Sequence, residues 1–208
     1  MPSHRRGNRG RPVSSQLKLA GHKKTPIGHT WHHHQGGTAM QLVPHDVHAQ
    51  ASLRAALNQG HDEMMIEDAG PKIRIEDVDA LEKEIHARLA SEYRQFLLEY
   101  NGGAPSPETV DVPGAPGTPT DVQVFFGIGR SLDSSNLSWN VSLVADRCPG
   151  LPVLPIACDS GGNLFSLRIE RGVAERVVYC DLESRECVIY AVAQSFGELI
   201  RRLRSYRH

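Results

Sequence analysis

The distribution of apolar residues changes near residue 70, and this change limits the fold of the 208-residue chain more than any other feature. Residues 1–25 are rich in Arg, Lys, Gly and Ser, so too little apolar surface is available to offset the entropy of ordering them. After that, periodic apolar patterns begin only in the second third of the chain. The sequence therefore predicts a flexible basic arm at 1–25, a histidine-rich segment at 26–60, a linker at 61–75 and a folded domain at 76–208.

A long run of helical spacing opens the folded part. From Asp77 to Tyr100, apolar residues recur every three or four positions for about seven turns, with a break allowed near Ala90-Ser91. Asn101-Gly102-Gly103 then ends the pattern, because glycine just beyond a helix accepts the left-handed backbone that closes the last turn. The Pro- and Gly-rich stretch at 104–120 predicts a surface loop, and its length favours a binding role.

The rest of the domain combines β-rich segments with two shorter helices. Apolar residues at 137, 141 and 144 keep helical spacing, and Ser195 with Glu198 has the arrangement of a capping box at the start of a closing helix. Helices before and after a run of strands favour an α+β fold, built on a mainly antiparallel sheet with flanking helices. The predicted strands are 122–128, 153–158, 164–169, 176–180 and 188–193.

Charge also divides the chain into two parts. The first 60 residues hold eight Lys or Arg and one Asp, a formal charge of +7, whereas the remainder holds 15 basic and 23 acidic residues, a formal charge of −8. A basic segment suits a polyanion, so nucleic acid is expected to contact only the N-terminal arm, if any part. The acidic part suits a basic partner protein, or simply keeps the domain soluble.

Two further patterns concern the compartment. No signal peptide is visible, and no apolar run approaches the ~20 residues of a membrane span, so we expect a cytoplasmic protein without a membrane partner. The four cysteines lack C-x-x-C spacing and lie in or beside apolar segments, which favours small buried side chains in a reducing compartment. A hairpin could bring Cys180 and Cys187 together, but a structural disulfide is not expected.

Three segments of the folded part carry recognisable motifs: 93–103 (YRQFLLEYNGG), 154–163 (LPIACDSGGN) and 193–196 (AQSF). Together they resemble the SUKH superfamily of bacterial immunity proteins, and the resemblance extends over roughly residues 73–206. It implies a non-catalytic binding module without a cofactor, which neutralises a cognate polymorphic toxin, often a nuclease, by direct contact. The residues agree with this, because the part after residue 73 shows no candidate nucleophile–base pair and no Gly-rich phosphate loop.

A nuclease presents a basic surface to nucleic acid, so we expect an acidic face of this domain to cover that surface. The segment 159–163 (DSGGN) favours a tight hairpin turn over a calcium or phosphate loop, because it lacks further oxygen ligands at loop spacing. The residues predicted to bind the partner lie at or near the 104–120 loop: Glu99, Asn101, Gly102, Gly103, Glu108, Asp111, Asp121 and Asp133.

The N-terminal segment carries a second resemblance. Residues 26–35 (PIGHTWHHHQ), 40–44 (MQLVP) and His48 resemble the WHH clade of the HNH/endonuclease VII toxin nucleases. The resemblance implies a ββα-metal site in which His33 is the general base towards water, while His32 and His48 hold a divalent cation. Zn, Mg and Ni are the candidate cations, and which of the adjacent histidines takes which role stays open.

This second resemblance covers only about residues 14–52 and departs from the family at one ligand. The family pattern has another histidine shortly after His48, usually followed by Thr-Gly-Gly, where this chain reads ASLRA at 51–55. Leucine cannot bind a metal, so the cation would be held weakly unless His45 or His61 substitutes. We therefore expect a truncated, poorly ordered nuclease fragment in front of an immunity domain.

The sequence leaves other functions open. The main alternative is a metal-dependent HNH/WHH endonuclease that acts through the N-terminal histidine cluster, with His33 as its catalytic residue. A regulatory or structural interaction protein without a toxin partner is a third class. The simplest interpretation of the N-terminal segment is a histidine-rich basic tail whose motif similarity is accidental, and which binds zinc or nickel nonspecifically.

Overall fold

The computed structural model describes residues 29–33, 40–44, 64–183 and 187–206. Contacts divide the chain into two units, Met1–Ala51 and Ser52–His208. In the first unit, the described residues form an antiparallel pair of strands, β1 (His29–His33) and β2 (Met40–Pro44). This pair agrees with the two strands of the predicted ββα-type fragment, whereas the helix expected after them lies outside the described residues.

The described part of the second unit holds four α-helices and ten strands, which confirms the predicted α+β class. Its helices are α1 (Ile75–Glu84), α2 (Ser91–Glu99), α3 (Leu137–Arg147) and α4 (Phe196–Arg202), and a short 3-10 helix (Asp133–Ser135) precedes α3. Its strands are β3 (Met65–Glu67), β4 (Arg88–Leu89), β5 (Ala104–Ser106), β6 (Thr109–Val110), β7 (Thr120–Asp121), β8 (Val124–Phe125), β9 (Val153–Cys158), β10 (Leu164–Glu170), β11 (Val173–Asp181) and β12 (Val188–Ala193).

The main sheet is mainly antiparallel, as predicted. Five strands follow one another in the order β12-β11-β10-β9-β8, each antiparallel to its neighbour, and β4 adds a short parallel pairing to the start of β11. Two smaller antiparallel pairs, β3 with β5 and β6 with β7, lie outside this sheet. Because β9 and β10 are buried over most of their length, the sheet supplies the floor of the core.

The long helical run predicted from Asp77 is two helices. The Asp77 carboxylate accepts a hydrogen bond from the Arg74 N–H at 2.8 Å, which satisfies one of the free N–H groups at the start of α1. His86 has a left-handed backbone (φ 52°) directly after α1, and the chain then forms β4 before α2 begins at Ser91. The predicted break near Ala90-Ser91 is confirmed.

Aromatic side chains hold α2 and α4 against the sheet. Phe96 of α2 lies 4.9 Å from Phe196 of α4 and 5.1 Å from Phe125 of β8, measured between ring centroids. Tyr93 packs edge-on against Phe196 at 5.1 Å, and all four rings are fully buried. These ring contacts, two edge-to-face and one tilted, contribute beyond the area that they bury, so the cluster fixes how the two helices sit on the sheet.

Asn101 joins three segments of the chain in the interior. Its side-chain Nδ2 donates to the carbonyl oxygens of Pro71 (2.9 Å) and Ile128 (2.8 Å), and its Oδ1 accepts from the Ile128 N–H (2.7 Å). The residue is 1% exposed and has a left-handed backbone (φ 51°). The end of α2 is thereby tied both to the segment before α1 and to the segment that leads to α3.

Glycines let these segments approach one another. A Cβ on Gly70 or Gly127 would collide with the carbonyl oxygen of Asn101. Gly102 has φ 85°, and a Cβ there would lie 2.6 Å from the carbonyl oxygen of Phe125. No L side chain fits at such positions, so glycine is needed for both its backbone freedom and its small size. We call the place where these segments meet, around Asn101, Gly70, Gly102 and Gly127, the Asn101 crossing.

The structure corrects the expectation for the cysteines. Cys148, at the end of α3, forms a disulfide with Cys187, just before β12, with 5.8 Å between the two Cα atoms. Cys158 and Cys180 are free, so the pair considered from the hairpin spacing, Cys180 with Cys187, does not form. The packing of α3 beside the sheet brings together two residues 39 positions apart, which no local spacing indicates.

Every helix in the part of the chain that the structure describes is too short or too polar to span a membrane.

We expect Asn101→Ala to lower the free energy of unfolding by about 2–4 kcal/mol, because it removes three buried hydrogen bonds and leaves an alanine in a left-handed backbone. Asn101→Gly removes the same bonds but tolerates the backbone, so it should destabilise by about 1 kcal/mol less. Urea unfolding of both variants measures the two contributions. An Asn101→Ala protein as stable as the wild type would contradict the assigned role of the crossing.

Candidate partner-binding surface

The Pro- and Gly-rich stretch predicted as a loop is partly a β-hairpin. Strands β6 and β7 pair Thr109 with Asp121 and Val110 with Thr120, and the Val122 N–H donates to the Glu108 carbonyl at 2.8 Å. Val110 and Val122 are fully buried, so the hairpin is anchored in the core by its valines. Three of the predicted partner-binding acids are thereby collected around one ladder: Glu108, Asp111 and Asp121.

These three carboxylates differ in how far they are already engaged. Asp111 accepts from Arg204 Nη2 through both oxygens, at 3.0 and 3.1 Å. Asp121 Oδ1 accepts from the backbone N–H (3.1 Å) and the hydroxyl (2.9 Å) of Ser160. Glu108 is exposed, and its side chain has no partner among the described residues. Glu108 is therefore the acid of this group that a partner can contact without first breaking an internal interaction.

Beside the hairpin, a buried carboxylate holds the turn between β9 and β10. Asp159 is 3% exposed and accepts from the Asn163 N–H (2.8 Å), the Tyr179 hydroxyl (2.6 Å) and the Thr120 hydroxyl (3.1 Å). Burial and the hydrogen bond to Asp159 raise the pKa of the Tyr179 hydroxyl, which stays a proton donor. The segment 159–163 is thus the predicted hairpin turn, and it also fastens β7 to the sheet.

The other predicted partner-binding residues lie at the Asn101 crossing, at the end of α2 or at the start of the 3-10 helix. Asn101, Gly102 and Gly103 are buried. They therefore fix the position of the backbone and do not form part of an exposed surface. Glu99 is half-buried at the end of α2, and its carbonyl accepts from Lys72 Nζ at 2.7 Å. Asp133 is exposed at the start of the 3-10 helix. The eight residues therefore divide between the hairpin, the crossing with the adjacent end of α2, and the 3-10 helix.

The histidine segment provides two of its three predicted residues within a described strand. His32 and His33 are consecutive in β1, where they pair with Gln41 and Met40 of β2. His48 lies outside the described residues, as do the suggested substitutes His45 and His61. Among the residues that the structure describes, no group of three or more His, Cys, Asp or Glu is placed to hold a metal.

Sequence reasoning named the acids of this surface but not the groups that hold them. Arg204 lies 93 residues from Asp111, and Ser160 lies 39 residues from Asp121. Neither separation leaves a local pattern in the sequence. The only hint was the 159–163 turn, whose Asx-type residues bond to their own backbone in turns of this kind.

Two family models match this chain. Residues 72–202 match the SMI1/KNR4 family (SUKH-1), and residues 21–54 match a family described as a nuclease of the HNH/ENDO VII superfamily with conserved WHH. The two matches confirm both resemblances predicted from sequence, in their identity and their order along the chain. No curated protein matches the chain.

Two buried tyrosines provide a matched test of the Asp159 cluster. Tyr179→Phe removes a donor from a buried carboxylate, so we expect it to lower the free energy of unfolding by about 1–3 kcal/mol. Tyr93 is fully buried, and its hydroxyl has no partner within the described residues. Tyr93→Phe should therefore leave stability unchanged or raise it by about 1 kcal/mol. Equal effects of the two changes in urea unfolding would argue against the cluster.

The difference between the hairpin carboxylates can be measured in the same way. We expect Asp121→Ala to lower the free energy of unfolding by about 1–2 kcal/mol, because it removes both bonds to Ser160. Glu108→Ala should change it by less than about 0.5 kcal/mol. The reverse order would show that Glu108, and not Asp121, supports the hairpin.

Proposed function

The chain belongs to the SMI1/KNR4 family (SUKH-1), and on this basis we propose that its folded domain is a non-catalytic immunity-type module that neutralises a cognate nuclease toxin by direct binding. The observation that carries this proposal is the presence of two matches in one chain, a SUKH-1 domain behind a WHH nuclease segment. An immunity domain fused to the end of a nuclease suggests that its partner is a nuclease of that same WHH type.

Charge gives the proposed mechanism its physical basis. A nuclease must attract the phosphate backbone of nucleic acid, so the surface that binds its substrate is basic. The first 60 residues of this chain are likewise basic, with eight basic residues and one acidic residue. The remainder of this chain carries a formal charge of −8. Complementary charge speeds the encounter of two proteins and fixes their register. An acidic domain that covers the basic surface would exclude nucleic acid from it.

The free acids contribute most to this proposed interaction. Glu108 and Asp133 are exposed, and Glu99 is half-buried, and none of the three carboxylates has a partner within the described residues. Asp111 already forms an ion pair with Arg204, and Asp121 accepts two hydrogen bonds from Ser160, so both carboxylates are partly engaged inside the domain. We therefore propose that Asp111 and Asp121 maintain the shape of the surface, whereas Glu99, Glu108 and Asp133 attract the partner electrostatically. Nucleic acid itself would contact only the N-terminal arm, and the protein would act in the cytoplasm.

A second candidate function, a metal-dependent endonuclease, is favoured by the match at 21–54. His33 would act as the general base and His32 with His48 would hold the cation. The leucine that follows at position 53, where the family has a further histidine, weighs against a tightly held metal. We rank this function second.

The test uses the full-length chain and the WHH nuclease encoded nearest to its gene. We expect the chain to bind this nuclease and to stop its cleavage of plasmid DNA, and the variant His33→Ala to inhibit equally well. Absence of binding, together with metal-dependent cleavage by the full chain that His33→Ala abolishes, would move the function to the histidine segment.

Charge reversal tests the acidic surface separately. The triple variant Glu99→Lys, Glu108→Lys and Asp133→Lys should associate with the nuclease about tenfold more slowly at low salt, because steering depends on complementary charge. A control triple of exposed acids elsewhere, Asp146→Lys, Glu175→Lys and Glu183→Lys, changes the net charge by the same amount. Equal association rates for the two triples would rule out a specific acidic surface.

A further inference from the structure

A groove runs between α1 and the start of α3, and neither the charge pattern nor the family motifs pointed to it. Its volume is about 320 Å³. Leu81 of α1, Leu137 of α3 and the half-buried Ile128 form an apolar floor. The Asn101 crossing fixes this arrangement, because the Asn101 side chain holds Ile128 at both its N–H and its carbonyl.

The α1 wall of the groove has acids at its two ends and a small residue between them. Asp77, Ala80 and Glu84 are spaced three and four residues apart, so they lie in one row along the helix over about 10 Å. Ala80 is exposed and leaves the middle of the wall open. Glu84 has no side-chain partner within the described residues, and it ends the helix at the pole where a negative charge is least favoured.

The lining of the groove has one sign of charge. No Lys, Arg or His of the described part of the chain lines it. A second groove, near β4, differs in this respect: Lys83 and Arg88 line it together with Asp79 and Glu82, and both acids already pair with Arg94. The α1–α3 groove therefore offers the free carboxylate of Glu84 beside an apolar floor, whereas the acids of the second groove are paired. The other acid of the α1 wall, Asp77, accepts from the Arg74 N–H and lies 3.9 Å from Arg74 Nε.

We propose that the α1–α3 groove is the anchor site for the toxin nuclease, which inserts an apolar side chain over Leu81 and Leu137 while a flanking Lys or Arg residue contacts Glu84. This inference rests on the proposed immunity function and names the surface that carries it. An apolar anchor in a pocket, surrounded by polar contacts, is the usual origin of binding energy in protein interfaces. The basic flanking residue follows from the partner's need to bind nucleic acid.

The apolar anchor and the surface charges are expected to act on different steps of binding. Surface charges act mainly on the rate of association and are weakened by salt, whereas a filled pocket slows dissociation. The free acids Glu99, Glu108 and Asp133 would attract the toxin, and the groove would hold it. The two sets of residues should therefore affect different rate constants.

The experiment measures binding of the full-length chain to a catalytically inactivated form of the WHH nuclease encoded nearest to its gene. Ala80→Phe fills the groove from an exposed helix position, so we expect it to leave the fold intact and to weaken binding about thirtyfold or more, mostly through faster dissociation. Ala191→Phe, at another exposed alanine on β12, is its control and should bind within about twofold of the wild type.

A charge variant provides a second test that does not depend on filling the groove. Glu84→Lys should weaken binding about tenfold, whereas Glu76→Lys, on the same helix but outside the groove, should have less than about a threefold effect. Glu84→Lys also improves the charge at the end of α1, so loss of folding is not expected to explain its effect.

The outcomes separate the groove from the immunity function. Weakened binding by Ala80→Phe and Glu84→Lys, with both controls unaffected, supports the anchor site. Wild-type binding, with all four variants binding equally, overturns the groove and leaves the proposed function standing. Failure of the wild-type chain to bind the nuclease overturns the immunity function, and the anchor site with it.

Discussion

The architecture of the SUKH-1 domain depends on the Asn101 crossing, where one buried amide satisfies three backbone groups from two other segments. A buried amide with every bond made is stabilising, whereas the same amide with one bond missing is a liability, so this arrangement permits few alternatives. Because Gly70 and Gly127 meet the Asn101 carbonyl closely, the crossing also sets the distance between the segments that precede α1 and α3. The groove between those helices is a consequence of that distance.

The sequence predicts the parts of this fold that are marked by a pattern of neighbouring residues. Strands 153–158 and 188–193 were predicted with the bounds that β9 and β12 have, because β-branched and apolar residues are concentrated in them. The capping pattern of Ser195 was also right, since its hydroxyl accepts from the Glu198 N–H at 3.2 Å, although Glu198 bonds back to the Gln194 N–H and not to that of Ser195. In each case the signal lies within a few residues.

Features that arise from contacts between distant segments could not be predicted in this way. Strands β5 to β7 lie in a Pro- and Gly-rich stretch whose composition indicates a loop. They become strands only through pairing, β5 with the distant β3, and β6 with β7 across a nine-residue connection. The disulfide between Cys148 and Cys187 likewise depends on how α3 lies beside the sheet. The acids of the candidate surface were recognised by their charge, but whether each is free or engaged depends on partners such as Arg204. Ala80 carries no chemical signal at all.

Residues such as Ala80 determine how such a surface can change its specificity. The Asn101 crossing ties together the segments that lead into α1 and α3 on the two sides of the groove, so residues in the groove wall can vary without disturbing the core. A substitution at Ala80 changes the shape that the groove accepts, and one at Glu84 changes the charge that it prefers. Specificity is a difference between affinities, so a few such changes are enough to favour one nuclease over another. A rigid frame with a variable wall therefore suits the proposed function, in which the domain must match one particular toxin.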